Sequence, residues 1–365
     1  FSISQKVTIA KQLEKWGISV IEAGFPAASP DSFEAVKQIA DSLNDTAVTA
    51  LARCVISDID KAVEAVKGAK YPQIHVFIAT SPIHMKYKLK ISPEEVLKNI
   101  DNPEEIGVLG LHIEGPYISV EKKGIHRPEY IRILSDEIIQ KIADSGKEIT
   151  RLITIAPEKA KIEHLKTLRK AGIKINMGHS NATYDQCLEK KEYYDGGTHL
   201  YNAMSPLESR NPGLVGFLFN DNELSAGIIV DGFHSEFPAV EIAKKIMKNR
   251  LYLITDAVSP AGTTDMKEFM FEGNRVLYQN GKCISPEGTL GGSALVMIDG
   301  VKNLVQKVNQ PLEEALRMAT SYPAKFISVE DRYGYIKEGF IADLTYFDDN
   351  FKIKGTISKG NLQTY

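Results

Sequence analysis

The 365-residue chain has little cysteine, one tryptophan and almost no net charge. Its cysteines, Cys54, Cys187 and Cys283, are too few and too scattered for a disulfide framework or a thiolate zinc site, and an odd count suits a reducing compartment. A cytoplasmic protein is therefore the expectation. The net charge is −3, and no part of the chain holds the basic excess of a nucleic-acid or anionic-membrane binder. No apolar run approaches the roughly 20 residues that a membrane helix needs. Phe1-Ser2-Ile3-Ser4 offers neither the basic nor the apolar region of a signal peptide, and the absent initiator Met suits a chain that begins partway through something longer. Hydrophobic residues at 43% and charged residues at 25% exclude disorder, collagen and coiled coil. The length suits one large barrel-type domain or two smaller ones. There is no internal repeat and no low-complexity linker.

What is present is an alternation. Short β-rich apolar runs are separated by segments of helical period, which favours βαβ units around a parallel sheet. Nine strands are predicted: Ser19–Ala23, Ala47–Arg53, Gln73–Thr80, Val108–Glu114, Arg151–Ile155, Ile173–Gly178, Gly197–Leu200, Leu224–Asp231 and Leu251–Asp256. Pro30–Leu43 reads as a helix behind Ser29, and Ser92-Pro93-Glu94-Glu95 opens another with a Ser cap, Pro in the first turn and two acids. After residue 265 the strands are shorter (Phe269–Phe271, Val276–Tyr278, Leu344–Phe347) and flank one helical stretch, Leu312–Thr320.

In the first hundred residues, Val20-Ile21-Glu22-Ala23-Gly24-Phe25-Pro26-Ala27-Ala28-Ser29 and Ile74-His75-Val76-Phe77-Ile78-Ala79-Thr80-Ser81-Pro82-Ile83-His84-Met85 resemble the 2-isopropylmalate synthase family. That resemblance implies a TIM barrel condensing an acyl-CoA with a 2-oxo acid at a divalent metal. The family's first-strand Arg-Asp-Gly-Glu and its His-x-His pair are absent from all 365 residues, so that metal site cannot be assembled. His75 reads as a packed strand histidine and His84 as a solvated loop histidine.

From about residue 101 four residues end apolar strands or stand just beyond them: Glu114 in Leu111-His112-Ile113-Glu114, His179 in Asn176-Met177-Gly178-His179, His199 in Gly197-Thr198-His199 and Asp256 in Leu253-Ile254-Thr255-Asp256. In a βα-barrel the C-terminal strand ends converge on one face. One carboxylate and two imidazoles form a common catalytic zinc set that leaves a position for water. A cation there lowers the pKa of water, and a carboxylate outside the set, Asp256, is suited to move the proton. Zinc, iron and manganese all accept these donors. His112 and His164 read as structural.

This part of the chain resembles the N-acetylglucosamine-6-phosphate deacetylase family of amidohydrolases through to the C-terminus. The resemblance implies metal ligation by Glu114, His179 and His199, and acid/base catalysis by Asp256. It further implies that His126, in Lys123-Gly124-Ile125-His126, contacts the amide carbonyl. Asn202 and Ala203 would meet the sugar phosphate, His234 and Arg210 its phosphate, the Arg across a homodimer interface, and Leu290, in the Thr289–Ala294 loop, would lie near the sugar. The expected fold is a (β/α)8-barrel with an incomplete small β-sandwich at the C-terminus. Its expected parts are residues 1–100 from the synthase pattern, 101–265 with the site, and 266–365 with the end of the barrel and the sandwich strands.

The two resemblances do not add up to one complete barrel. Deacetylases of this family begin with half of the sandwich and two further barrel strands, whereas residues 1–100 supply three synthase-like βα units. Six strands and three make one more than an eight-strand barrel closes with. Such a chain reads as a fusion, natural or engineered, or as a gene-model error. Its expected activity is metal-dependent hydrolysis of an amino-sugar phosphate's N-acetyl group. The alternatives are 2-isopropylmalate synthesis, or an impaired fusion that only binds metal or sugar phosphate.

Overall fold

A computed structural model describes residues 2–15, 18, 20–53, 56–77, 109–263, 266–358 and 361–364. The expected helix at Ser92, the residues Cys54, Thr80 and His84, and the side chain of His75 lie outside the described residues. The chain forms two compact units, Phe1–Asn102 and Pro103–Tyr365.

The first unit runs α1 (Ile3–Lys15), β1 (Val20–Gly24), α2 (Pro30–Ala40), β2 (Ala47–Arg53), α3 (Ile56–Val66) and β3 (Pro72–Phe77). Its strands form a parallel sheet in the order β1-β2-β3. Helix α2 starts where the sequence predicts, because the Ser29 hydroxyl accepts from the Ser32 amide and Pro30 needs no amide partner in the first turn. The small side chains Ala40, Ala50, Ala52, Ala62 and Ala65 are buried with Val36, Ile39 and Val48, so the helices approach the sheet closely.

The second unit carries β4 (Leu111–Glu114), α4 (Asp136–Ile149), β5 (Thr150–Thr154), α5 (Ile162–Lys170), β6 (Lys174–Met177), α6 (Tyr184–Glu189), β7 (Gly196–Gly197), α7 (Gly213–Asn220), β8 (Ser225–Ile229), α8 (Phe237–Met247) and β9 (Leu251–Ile254). These six strands pair in parallel in sequence order, the curled βα sheet of a TIM-like barrel, and among the described residues β4 and β9 are its edges. The nine expected parallel strands are thus divided into sheets of three and six. Helix α4 follows a Ser135 cap with Asp136 and Glu137 in the first turn, and α6 follows a reciprocal Thr183–Gln186 capping box. Ile153, Ile155, Leu165, Leu168, Ile175, Met177, Leu214 and Phe217 form the buried layer between strands and helices.

Strand β7 differs from expectation. It covers only Gly196–Gly197, and the chain turns away at Thr198, where Gly197–Leu200 was the expected strand. Beyond β9 come an antiparallel sheet of β10 (Glu268–Phe271), β11 (Asn274–Gln279), β12 (Lys282–Ile284) and β13 (Leu290–Ser293), three helices, and a second antiparallel sheet of β14 (Leu344–Phe347), β15 (Ile353–Ser358) and β16 (Asn361–Thr364). The helices are α9 (Met297–Gln306), α10 (Leu312–Ala319) and α11 (Ser321–Phe326), where one was expected. Val301, Leu304, Ala315 and Met318 place α9 and α10 in the same core as the six-stranded sheet.

Candidate metal centre and active-site cavity

Glu114 is the last residue of β4, whereas His179, His199 and Asp256 each stand two residues past the end of their strand. The three latter residues have left-handed backbones, with φ of 47°, 37° and 50°. A non-glycine residue there is strained by about 1–3 kcal/mol and persists only where surrounding packing holds it. Gly178 shows how tight that packing is. A Cβ on it would lie 2.7 Å from Thr154 Cγ2 and 3.1 Å from Thr198 Cβ. The chain therefore turns sharply off each strand and directs the side chain over the mouth of the sheet.

At that mouth the donors converge. The Nδ1–H of His179 donates to the Lys122 carbonyl at 2.7 Å, and that of His199 to the Asn202 carbonyl at 3.1 Å. Because a carbonyl only accepts, each neutral ring carries its proton on Nδ1 and presents a lone pair at Nε2. The two Nε2 atoms are 3.1 Å apart, and Glu114 Oε1 lies 3.1 Å from His179 Nε2 and 2.6 Å from His199 Nε2. Two lone pairs and a carboxylate oxygen facing one another repel unless positive charge sits among them. A zinc-type ion, with bonds of about 2.0–2.2 Å to N and O, spans such separations. The donor set therefore fits a divalent cation, and it is the one such cluster among the described residues.

Without a cation, a proton takes that place. Burial opposes charge on His199, but the hydrogen bond and charge of Glu114, with Asp256 beyond, push its pKa up to about 9. Burial would raise the Glu114 carboxyl, yet its pairing with the two imidazoles holds it well below the usual carboxylate range. His179 and His199 are only 7% and 4% exposed, so little solvent screens this charge.

The cluster opens into a cavity of about 520 Å³ lined also by Asp256, His126, Asn202, Ala203, His234 and Leu290. Asp256 stays outside the cluster and shares the cavity with it. Among family models, one described as the amidohydrolase family matches residues 77–362, and one described as HMGL-like matches residues 1–105. The N-acetylglucosamine-6-phosphate deacetylase of Haemophilus influenzae is 40% identical over 289 residues, covering 78% of this chain and 74% of that protein. The chain belongs to the amidohydrolase family.

A crystal structure of N-acetylglucosamine-6-phosphate deacetylase from Pasteurella multocida has the same fold, with a TM-score of 0.68 at 34% identity over 95% of this amidohydrolase and 85% of that chain. A stretch of 101 residues is 97% identical to the 2-isopropylmalate synthase of Lactococcus lactis subsp. lactis. That match spans 28% of this chain and only 20% of the synthase. The amidohydrolase is thus chimeric in sequence.

Of the ten expected site residues, nine line the cavity and one does not. Arg210 lies in the exposed stretch before α7 and is absent from the cavity wall. Of the histidines read as structural, His112 has its Nε2 2.7 Å from Thr154 Oγ1, and His164 its Nε2 2.7 Å from Asp136 Oδ1. Gly291 and Gly292 are wall residues. A Cβ on Gly291 would lie 2.3 Å from Ile125 Cδ1, so these glycines permit close packing.

Two acidic residues of the site escaped the sequence reading. Asp231 accepts from the amides of Phe233 and His234 at 2.8 Å and lies 2.7 Å from His234 Nδ1. Burial would raise its carboxyl, but these bonds hold it below the ordinary value. Glu272 contacts His126 Nδ1 at 3.0 Å and the Arg127 amide at 3.0 Å. Asp231-Gly232 carries a familiar turn signal that hints at its role, whereas Glu272 lies 146 residues from its partner and has none.

Proposed function

We propose that the chain hydrolyses the N-acetyl group of N-acetylglucosamine 6-phosphate, releasing glucosamine 6-phosphate and acetate. The observation that carries this reading is the convergence of Glu114, His179 and His199 beside Asp256 in one cavity. Likeness to the deacetylases supports the substrate. When bound, a divalent ion, which we assign as zinc, supplies Lewis-acid polarisation and a water of lowered pKa. Glu114, His179 and His199 would hold it, the two rings oriented by the Lys122 and Asn202 carbonyls.

The remaining steps belong to side chains. Asp256 takes the proton from the attacking water and returns it to the departing amine, because it faces the cavity free of the metal cluster. His126 meets the acyl oxygen. His234, oriented by Asp231, receives the phosphate, with Asn202, Ala203 and Leu290 around the sugar. Arg210 is assigned to the phosphate of a second copy in a homodimer. Mixing Arg210→Ala with Asp256→Asn protein restores activity if sites are shared, and no recovery removes that assignment.

The deacetylase reading also sets the remaining assignments. We assign residues 1–100 as a synthase-derived segment, 101–265 as the catalytic barrel portion, and 266–365 as the barrel end with sandwich strands, in a cytoplasmic protein. No helix of the described residues is long and apolar enough to cross a membrane. The test is acetate release from N-acetylglucosamine 6-phosphate by metal-replete protein. Condensation of acetyl-CoA with a 2-oxo acid instead would favour the synthase, and ligand binding without turnover an impaired fusion.

A further inference from the structure

We infer that Glu272 is a positioning residue: its carboxylate fixes the ring plane and proton position of His126, presenting Nε2 to the active-site cavity. The inference rests on the proposed deacetylase reaction, in which His126 meets the acyl oxygen.

The first sign is the hairpin between β10 and β11. Phe271 pairs with Asn274, which leaves Glu272-Gly273 as a two-residue loop, and both loop residues have positive φ, 49° and 82°. That is the backbone of a type I′ turn, whose first position favours Asn, Asp or Gly because longer side chains are strained there. Glutamate is a poor residue for this turn.

Its contacts supply the reason for its presence. Oε1 lies 3.0 Å from His126 Nδ1, and Oε2 accepts from the Arg127 amide at 3.0 Å. One carboxylate thus holds both the ring and the backbone beside it. Since a carboxylate only accepts, the shared proton sits on Nδ1, and Nε2 has no hydrogen-bonding partner among the described residues. Phe271 meets the His126 ring edge-on at 5.5 Å between centroids, and the His179 ring does so at 5.4 Å. His126 stands in an irregular loop outside any strand or helix, so these contacts, rather than its own backbone ladder, set where its ring points.

Glu272→Asn separates the roles. Asn suits the turn and is one methylene too short to reach the ring, so a role confined to the hairpin predicts an equal or higher Tm with unchanged acetate release. The positioning role predicts an equal or higher Tm with kcat lowered roughly ten- to hundredfold and KM nearly unchanged. In a double-mutant cycle, adding Glu272→Asn to His126→Asn then costs little more, whereas fully additive losses overturn the inference. Nitrogen–proton correlation spectra of the histidine rings give a readout independent of turnover. His126 shows a protonated Nδ1 in the parent chain and loses that pattern in Glu272→Asn. An unchanged pattern overturns the pairing. A parent chain that releases no acetate overturns the proposed reaction while the spectra still test Glu272.

Discussion

Asp256 shares a cavity wall with Glu114, His179 and His199 without joining their cluster, and its proposed acid/base role rests on this separation. Asp256→Asn keeps the shape and removes the base. Acetate release is expected to fall by roughly 10²- to 10⁴-fold while metal content, measured on the same sample, stays at the parent level. Loss of both together would place Asp256 among the ligands. At the phosphate end, His234→Ala is expected to raise KM for the phosphorylated sugar with little change in kcat, because the interaction it removes is present before and during the reaction. Glu114, His179, His199 and Asp256, which share the cavity wall, were legible as candidates because each ends, or closely follows, an apolar run. Glu272 and Asp231 were not, since Asp231-Gly232 reads locally as a turn and Glu272 meets its histidine only across 146 residues.

The elements holding these residues are tightly specified. Gly178→Ala adds a Cβ 2.7 Å from Thr154 Cγ2, next to a metal-cluster residue in a buried turn. The expected loss is about 1–3 kcal/mol of stability by denaturant titration, with weaker metal retention. On α10, Glu314 binds Lys244, Arg317 Nε at 2.8 Å and Tyr322 Oη at 2.9 Å. Burial opposes its charge, yet these partners hold the carboxyl at about 2, against an ordinary 4.5. A depressed folded-state pKa stabilises the protein above the ordinary value and is lost as pH falls toward the depressed one. Stability should therefore decline between pH 4.5 and about 2, and Glu314→Gln should flatten that decline in pH-dependent melts. Most strands were readable because continuous apolar runs mark a sheet covered on its faces. The helices α9 and α11 were hidden, for Gly300 and Pro323 interrupt their patterns. At Gly300 the packing is close, since a Cβ there would sit 3.0 Å from Leu253 Cδ2.

At the scale of the whole molecule, two units with separate apolar cores carry two sequence ancestries. All three cluster donors belong to the second unit, so metal binding stabilises that unit through mass action. Calorimetry with and without chelator should move the transition of the second unit downward; a melt that chelator leaves unchanged would contradict a cation held there. The sequence disclosed the junction through its two resemblances, but how strands of different origin distribute between sheets depends on pairing that no local pattern encodes. The most direct test of the central claim is elemental analysis of purified protein beside its His199→Ala variant. The account predicts about one divalent ion per chain, as three converging donors imply, and almost none in the variant. Equal metal content in both proteins would contradict it.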